Sequence, residues 1–216
     1  SGPTTNARMG VEGDKHGNLW IGTYLDGLFY KDAGGKIRLF PEQGGIGTMR
    51  IRTLEYDEKR DLLYVGTYGA GLVVIDPARL RIVQSVVDEE YLWISALHLD
   101  KSGLLWVGTY NGPFQFEAET GLIVPFHPDM SSARIYSIAS DDDGNIWFGT
   151  GDGLFCTDAE GSVLMHYNEK SGLANNVIRD IVPSQAGNVW ISTAGGLSRL
   201  NTRTGGLTAL PLPRRL

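Results

Sequence analysis

Short apolar phrases, most of them ending in Gly-Thr, recur along the chain at nearly even spacing. They read Asn18-Leu19-Trp20-Ile21-Gly22-Thr23, Leu62-Leu63-Tyr64-Val65-Gly66-Thr67, Leu104-Leu105-Trp106-Val107-Gly108-Thr109, Asn145-Ile146-Trp147-Phe148-Gly149-Thr150 and Asn188-Val189-Trp190-Ile191-Ser192-Thr193. The aromatics Trp20, Tyr64, Trp106, Trp147 and Trp190 stand 44, 42, 41 and 43 residues apart. Five repeats of about 43 residues therefore fill the 216-residue chain.

Within a repeat, the pattern predicts four short strands. The first is apolar-x-x-apolar-x-x-Asp, as in Ile51 to Asp57, Ile94 to Asp100 and Ile135 to Asp141. A tight turn such as Asp141-Asp142-Asp143-Gly144-Asn145 leads into the aromatic phrase, which alternates as a strand does. A second glycine turn, for example Gly69-Ala70-Gly71, leads to a third strand such as Leu72 to Ile75. The fourth is Ile37 to Phe40, Ile82 to Val86, Ile123 to Phe126, Val163 to Tyr167 or Leu207 to Leu210. Four antiparallel strands per repeat predict an all-β β-propeller of five blades, with the repeated aromatics as core filler between neighbouring blades. Residues 1–7 read as a tail, with Ser1-Gly2-Pro3 as an expression scar. Residues 8–213 form one propeller, with blades at about 8–47, 48–90, 91–131, 132–174 and 175–213. The terminal repeats are the weak ones: the first strand of repeat one, Arg8 to Asp14, holds two glycines and starts without isoleucine. A five-bladed ring is expected. It either closes by side-to-side packing alone or belongs to a longer propeller.

Composition adds one feature: the chain holds 29 glycines, about twice ordinary usage. Most fall in the recurring turns and the Gly-Thr phrase, which makes the excess a cost of many hairpins. Gly44, Gly45 and Gly47 do not; they cluster before Arg50 and mark a loop free to move around a ligand. Nineteen basic against 25 acidic residues give a net charge of −6, with no basic run. Nucleic acid is therefore not an expected partner. No apolar run is long enough for a membrane span, so no membrane insertion is expected. The single cysteine, Cys156, leaves no internal disulfide and reads as a buried structural thiol.

At these motifs the chain resembles the two-component regulator propeller family, whose repeat has the form apolar-x-x-apolar-x-x-Asp-x-x-Gly-Asn-Leu-Trp-Ile-Gly-Thr-x-x-Gly-Gly-Leu. Residues 11–28 and 138–154 carry the likeness best. The resemblance implies a sensor propeller, periplasmic or extracellular, with flanking signalling domains. Tyr64 in place of Trp, Pro113 after its glycine and Ser192 in place of Gly depart from the pattern. The streptogramin B lyases are similar as well, more weakly, through their Gly-Asn-Leu-Trp phrase and an ending like Gly205 to Pro213. Their His, acid and metal have no counterparts that can be placed here.

Strand alternation puts the second-to-third turns and the blade-to-blade loops on one rim. That rim carries Tyr24, Tyr68 and Tyr110, each directly after Gly-Thr, and the residues taken to enter the innermost strands, Arg50, Trp93, Arg134 and Asn176. Aromatics and arginines at a concave mouth suit a carbohydrate-like or anionic small molecule, by stacking and forked hydrogen bonds. The bland alternative is that the repeated tyrosines pack blade edges. Asp141-Asp142-Asp143-Gly144-Asn145 has the composition of a calcium loop but lacks its terminal Glu, so a plain hairpin is expected. His16, His98, His127 and His166 form no ligand pair, and no metal or cofactor is expected. No nucleophile elbow, P-loop or dinucleotide fingerprint is present. The expectation is a non-catalytic binding module; a lyase or hydrolase, or a protein-interaction scaffold, are the alternatives.

Overall fold

The computed structural model describes residues 8–41, 50–127, 130, 133–184 and 187–211. Blade one holds β1 (Arg8–Gly13), β2 (Leu19–Thr23), β3 (Leu28–Lys31) and β4 (Ile37–Leu39). Blade two holds β5 (Ile51–Asp57), β6 (Leu62–Thr67), β7 (Leu72–Asp76) and β8 (Arg81–Val86). Blade three holds β9 (Ile94–Leu99), β10 (Leu105–Thr109), β11 (Gly112–Glu117) and β12 (Leu122–Pro125). Blade four holds β13 (Ile135–Ser140), β14 (Ile146–Thr150), β15 (Gly153–Thr157) and β16 (Val163–Tyr167). Blade five holds β17 (Ile178–Ser184), β18 (Asn188–Thr193), β19 (Gly196–Asn201) and β20 (Leu207–Pro211). Each set is one antiparallel sheet in sequence order. The predicted five blades of four strands are the observed architecture.

The repeat motif encodes three local devices. The Asp ending the first strand is an acceptor hub. Asp14 takes hydrogen bonds from the Asn18 amide and side chain and from Trp20 Nε1, the last at 2.7 Å. Asp141 does the same for Asn145 and Trp147, and Asp100 accepts from Trp106 Nε1 at 2.8 Å. A buried indole N–H needs such a partner. That explains why Asp, Gly-Asn and Trp travel together; Gly144 supplies the positive φ of +86° in the turn between them. Asp141 is thus spent on its own hairpin. In the second device the Thr hydroxyl closes the next turn. In all five blades it donates to a glycine carbonyl at 2.7–2.9 Å, at Gly27, Gly71, Gly112, Gly153 and Gly196.

The third device joins blades. A Cβ placed on Gly66, Gly108 or Gly149 would lie 2.6, 2.7 or 2.6 Å from Cγ2 of Ile94, Ile135 or Ile178, and Gly22 stands in the same relation to Ile51. The isoleucine opening the first strand of blades two to five is a knob, and the glycine of the preceding blade is its socket. These glycines sit in extended strands, so part of the glycine excess serves packing between blades rather than hairpins. Around each knob an apolar cluster forms. Trp20 packs with Ile51, Leu54, Val65 and Val73, and Trp147 with Ile178, Ile181, Val189 and Ile191. Trp20, Tyr64, Trp106 and Trp147 are all fully buried.

The first strands neighbour one another in the order β1, β5, β9, β13, β17, which gives four seams. Ring closure is where the structure departs from expectation: among the described residues β17 does not pack on β1 as the other first strands pack on each other. The repeat motif also differs in blades one and five. Arg8 stands opposite Thr23 in the register held elsewhere by a knob isoleucine, and Ser192 replaces the socket glycine. Trp190 is accordingly only half-buried.

Candidate functional site: an aromatic rim beside a cleft

Strands β2, β6 and β10 each end on the same rim, and the residue after each Thr is a half-buried tyrosine. Backbone pairing runs one step past the strands here. The Tyr68 N–H donates to the Arg50 carbonyl at 2.8 Å, and the Tyr110 N–H donates to the Trp93 carbonyl at 3.3 Å. This fixes the residue before each knob isoleucine over the tyrosine of the preceding blade. Arg50 lies over the Tyr24 ring at 5.4 Å, Trp93 meets Tyr68 edge-on at 5.0 Å, and Arg134 covers Tyr110 at 3.7 Å. The tyrosines touch in turn: Tyr24 to Tyr68 at 6.3 Å and Tyr68 to Tyr110 at 5.3 Å. Trp93 stacks on Tyr110 at an interplanar angle of 16°. Six of the seven predicted rim residues therefore form one continuous strip across blades one to four, with an arginine at each end. Arg50, Trp93 and Arg134 are exposed.

Asn176 is apart from this strip. The Ala194 N–H donates to the Val177 carbonyl at 2.9 Å, so Val177 and not Asn176 is the counterpart of Arg50, Trp93 and Arg134. Asn176 instead ties down its own loop: its Oδ1 accepts from the Glu169 N–H at 2.7 Å, and its N–H donates to Glu169 Oε1 at 3.1 Å. The loop around Gly44, Gly45 and Gly47 lies outside the described residues.

Reading the sequence for tyrosines missed the cleft next to them. Blade four has Gly151 where blades one to three have Tyr, and the space is open. A cavity of about 330 Å³ there is lined by Met130, Ala133, Arg134, Thr150, Gly151, Asp152 and Phe155. Arg134 thus stands between the Tyr110 face and this cleft, with the exposed Asp152 on the other side. The signal was available as a missing aromatic in a repeating position. A second cavity, of about 270 Å³, lies among the first strands and is bordered by Arg52, Ser95, Tyr136, Ser137 and Asp180. Ser137 Oγ donates to Asp180 Oδ1 there at 3.0 Å.

The remaining candidates have local employment. Cys156 is fully buried, and burial pushes its thiol up to about 12. His166 stacks on Phe155 at 4.0 Å and its Nε2 meets the Asp152 carbonyl at 2.9 Å. His98 bonds Ser140 Oγ at 2.8 Å, and burial holds its pKa below the usual imidazole range. His16 pairs with Asp61 at 2.9 Å. His127 lies beside Phe126. Among the described residues no group of three His, Cys, Asp or Glu side chains could hold a metal ion. Among the described residues no helix is long and apolar enough to cross a membrane.

With this geometry in place, likeness to known proteins is informative. Residues 88–111, 129–152 and 172–195 match the family described as two component regulator propeller. The matched segments lie across the loops, first strands and aromatic phrases of blades three, four and five. No curated protein matches the sequence. Among solved structures, the chain superposes on the extracellular domain assigned to the hybrid two component system BT3049 of B. thetaiotaomicron. The TM-score is 0.84 at 26% identity, over 96% of this chain and 29% of that one. The corresponding domain of BT4673 from the same organism gives 0.75 at 25% identity, over 92% and 28%. The computationally designed protein Ika8 gives 0.71 at 15% identity over 93% and 60%, which is a likeness of fold alone. The chain spans under a third of the length of the two bacterial neighbours.

Proposed function

The chain carries the repeat of the two component regulator propeller family, and on that premise we propose that it is a non-catalytic sensor module. It works outside the cytoplasmic membrane, as its bacterial neighbours do, and binds a carbohydrate-like or anionic small molecule at the rim. The observation that carries this reading is the junction of the aromatic strip with the cleft at Arg134. The exposed Trp93, backed by the tyrosines, offers an aromatic face for a sugar ring, while Arg50 and Arg134 offer forked donors for carboxylates. Asp152 across the cleft repels a bare anion and accepts hydroxyl hydrogen bonds, so an acidic sugar fits the pair better than a simple anion. A cleft of this size is at the lower end for a small ligand, which suits a mono- or disaccharide unit. Signal would pass to flanking domains of the longer protein.

Thermal shift against panels of neutral and uronic-acid oligosaccharides tests this. A shift with uronic-acid members, lost in Arg134→Ala and kept in Lys101→Ala on the opposite rim, is expected. Equal behaviour of wild type and Arg134→Ala across the panel would overturn the assignment.

A further inference from the structure

Directly after the knob, the first strands of blades two to five share one irregularity. Ile51 pairs with Thr67 and Thr53 pairs with Gly66, so Arg52 is an extra residue bulged out of the ladder. Ser95, Tyr136 and Arg179 hold the same place in β9, β13 and β17. A bulge re-aims a side chain, and bulges gather beside binding sites. Three of these four residues, with all four that follow them, border the cavity of about 270 Å³ among the first strands. The repeats share the bulge but not its chemistry. Arg, Ser, Tyr and Arg occupy it, and Thr, Ala, Ser and Asp come next.

We infer that this cavity is a second binding site, separate from the rim, for a small amino carboxylic acid whose carboxylate meets Arg52 and whose ammonium meets Asp180. Among the described residues that line it, Arg52 and Asp180 are the charged ones, one of each sign, on β5 and β17. The two serines are buried. Ser95 Oγ bonds the Ile135 carbonyl and so belongs to the seam between blades three and four. Ser137 positions the acid: its Oγ donates to Asp180 Oδ1 at 3.0 Å, and the Ile181 N–H donates to the same oxygen at 2.9 Å. Asp180 itself is exposed. A carboxylate anchored through one oxygen presents the other, and an ammonium group is its strongest simple donor. A bare anion at Arg52 meets the charge of Asp180, and a bare cation at Asp180 meets that of Arg52. A molecule bearing both charges turns each repulsion into a contact. The cavity's aromatic ring, Tyr136, lies under Arg179 at 6.0 Å, unlike the exposed Trp93 of the rim. The volume suits one molecule of amino-acid size.

Calorimetric titration of the chain with amino carboxylates of rising charge separation tests the inference. Glutamine, β-alanine, γ-aminobutyrate and 5-aminovalerate form the series, with butyrate and butylamine as single-charge controls. At least one member should bind wild type, and both controls should bind about tenfold more weakly or worse. Asp180→Asn keeps the oxygen that Ser137 and Ile181 reach but removes the charge. It should weaken binding about tenfold or more, and Arg52→Gln should do the same. Arg134→Ala should bind the same compound as wild type does, which separates this site from the rim whether or not the rim binds sugars. No saturable binding of any member up to about 10 mM would overturn the proposal. So would controls that bind equally well, an affinity that survives both Asp180→Asn and Arg52→Gln, or one that Arg134→Ala abolishes.

Discussion

The seams and the rim of this molecule follow opposite rules. At the seams the repeats agree: isoleucine knob, glycine socket, buried aromatic, threonine-closed turn. On the rim they disagree: Tyr, Tyr, Tyr, Gly and Ala follow the Thr, and Arg, Trp, Arg and Val precede the four knobs. Agreement is what stacking needs, since each blade must fit the next in the same way. Disagreement among positions equivalent in geometry makes one sector of the rim chemically distinct from the rest. The lesson is that the fold is written in what the repeats share, and the candidate site in where they stop sharing.

The largest expected effect separates a buried aromatic from a half-buried one. Trp147→Ala should cost about 3–5 kcal/mol of unfolding free energy, the usual loss for a buried large aromatic. Trp190→Ala, the same residue in the same register but only half-buried, should cost about 1 kcal/mol. Chemical denaturation of both variants checks this, and equal losses would mean that Trp190 is as buried as Trp147.

A second effect asks whether blade-to-blade variation marks function wherever it occurs. Glu55, on β5, varies as well: its counterparts are Glu12, His98, Ala139 and Val182. Burial pushes Glu55 up to about 7, with the Leu99 N–H acting against the rise and Glu12 adding to it. Between its ordinary 4.5 and about 7, the folded chain holds a proton that the unfolded chain has released. Stability therefore falls as pH rises through that window, by about 3 kcal/mol at most, and is level above it. Glu55→Gln should flatten the profile of melting temperature against pH between those limits. An unchanged profile would place the titration elsewhere.

Smaller still is the socket itself. Gly108→Ala puts a methyl group against Ile135 and Ile138, and a loss of about 1–3 kcal/mol is expected from overpacking. Ser192→Ala, at the position with no knob, should change stability by less than about 0.5 kcal/mol. A similar cost at both positions would remove the knob-and-socket account.

Much of this was legible in the residues. The 43-residue spacing and the Asp-Gly-Asn-Trp phrase gave the blades and their strand order because both are local hydrogen-bonding patterns. The tyrosines and Arg50, Trp93 and Arg134 could be placed on one rim by strand alternation alone. Their mutual contacts could not, since those depend on how far one blade turns relative to the next. Asn176 was misplaced by one residue because its loop carries an Asn-Asn pair, and only the Val177 backbone pairing sets the register. The glycine of Gly-Thr reads as a turn residue until its neighbour across the seam is seen. The departure of blades one and five from the shared motif was visible as Arg8 and Ser192, yet either change alone looks like ordinary variation.

The most direct test is the double variant Trp93→Ala/Arg134→Ala, melted with and without a uronic-acid oligosaccharide that stabilises the wild type. Because rim positions are exposed and lie outside the seams, the variant alone should melt within about 2–4 °C of wild type. The ligand-induced shift should vanish. A variant that loses several kcal/mol of stability, or that keeps the ligand shift, would show that the rim aromatics pack the blades and do not bind.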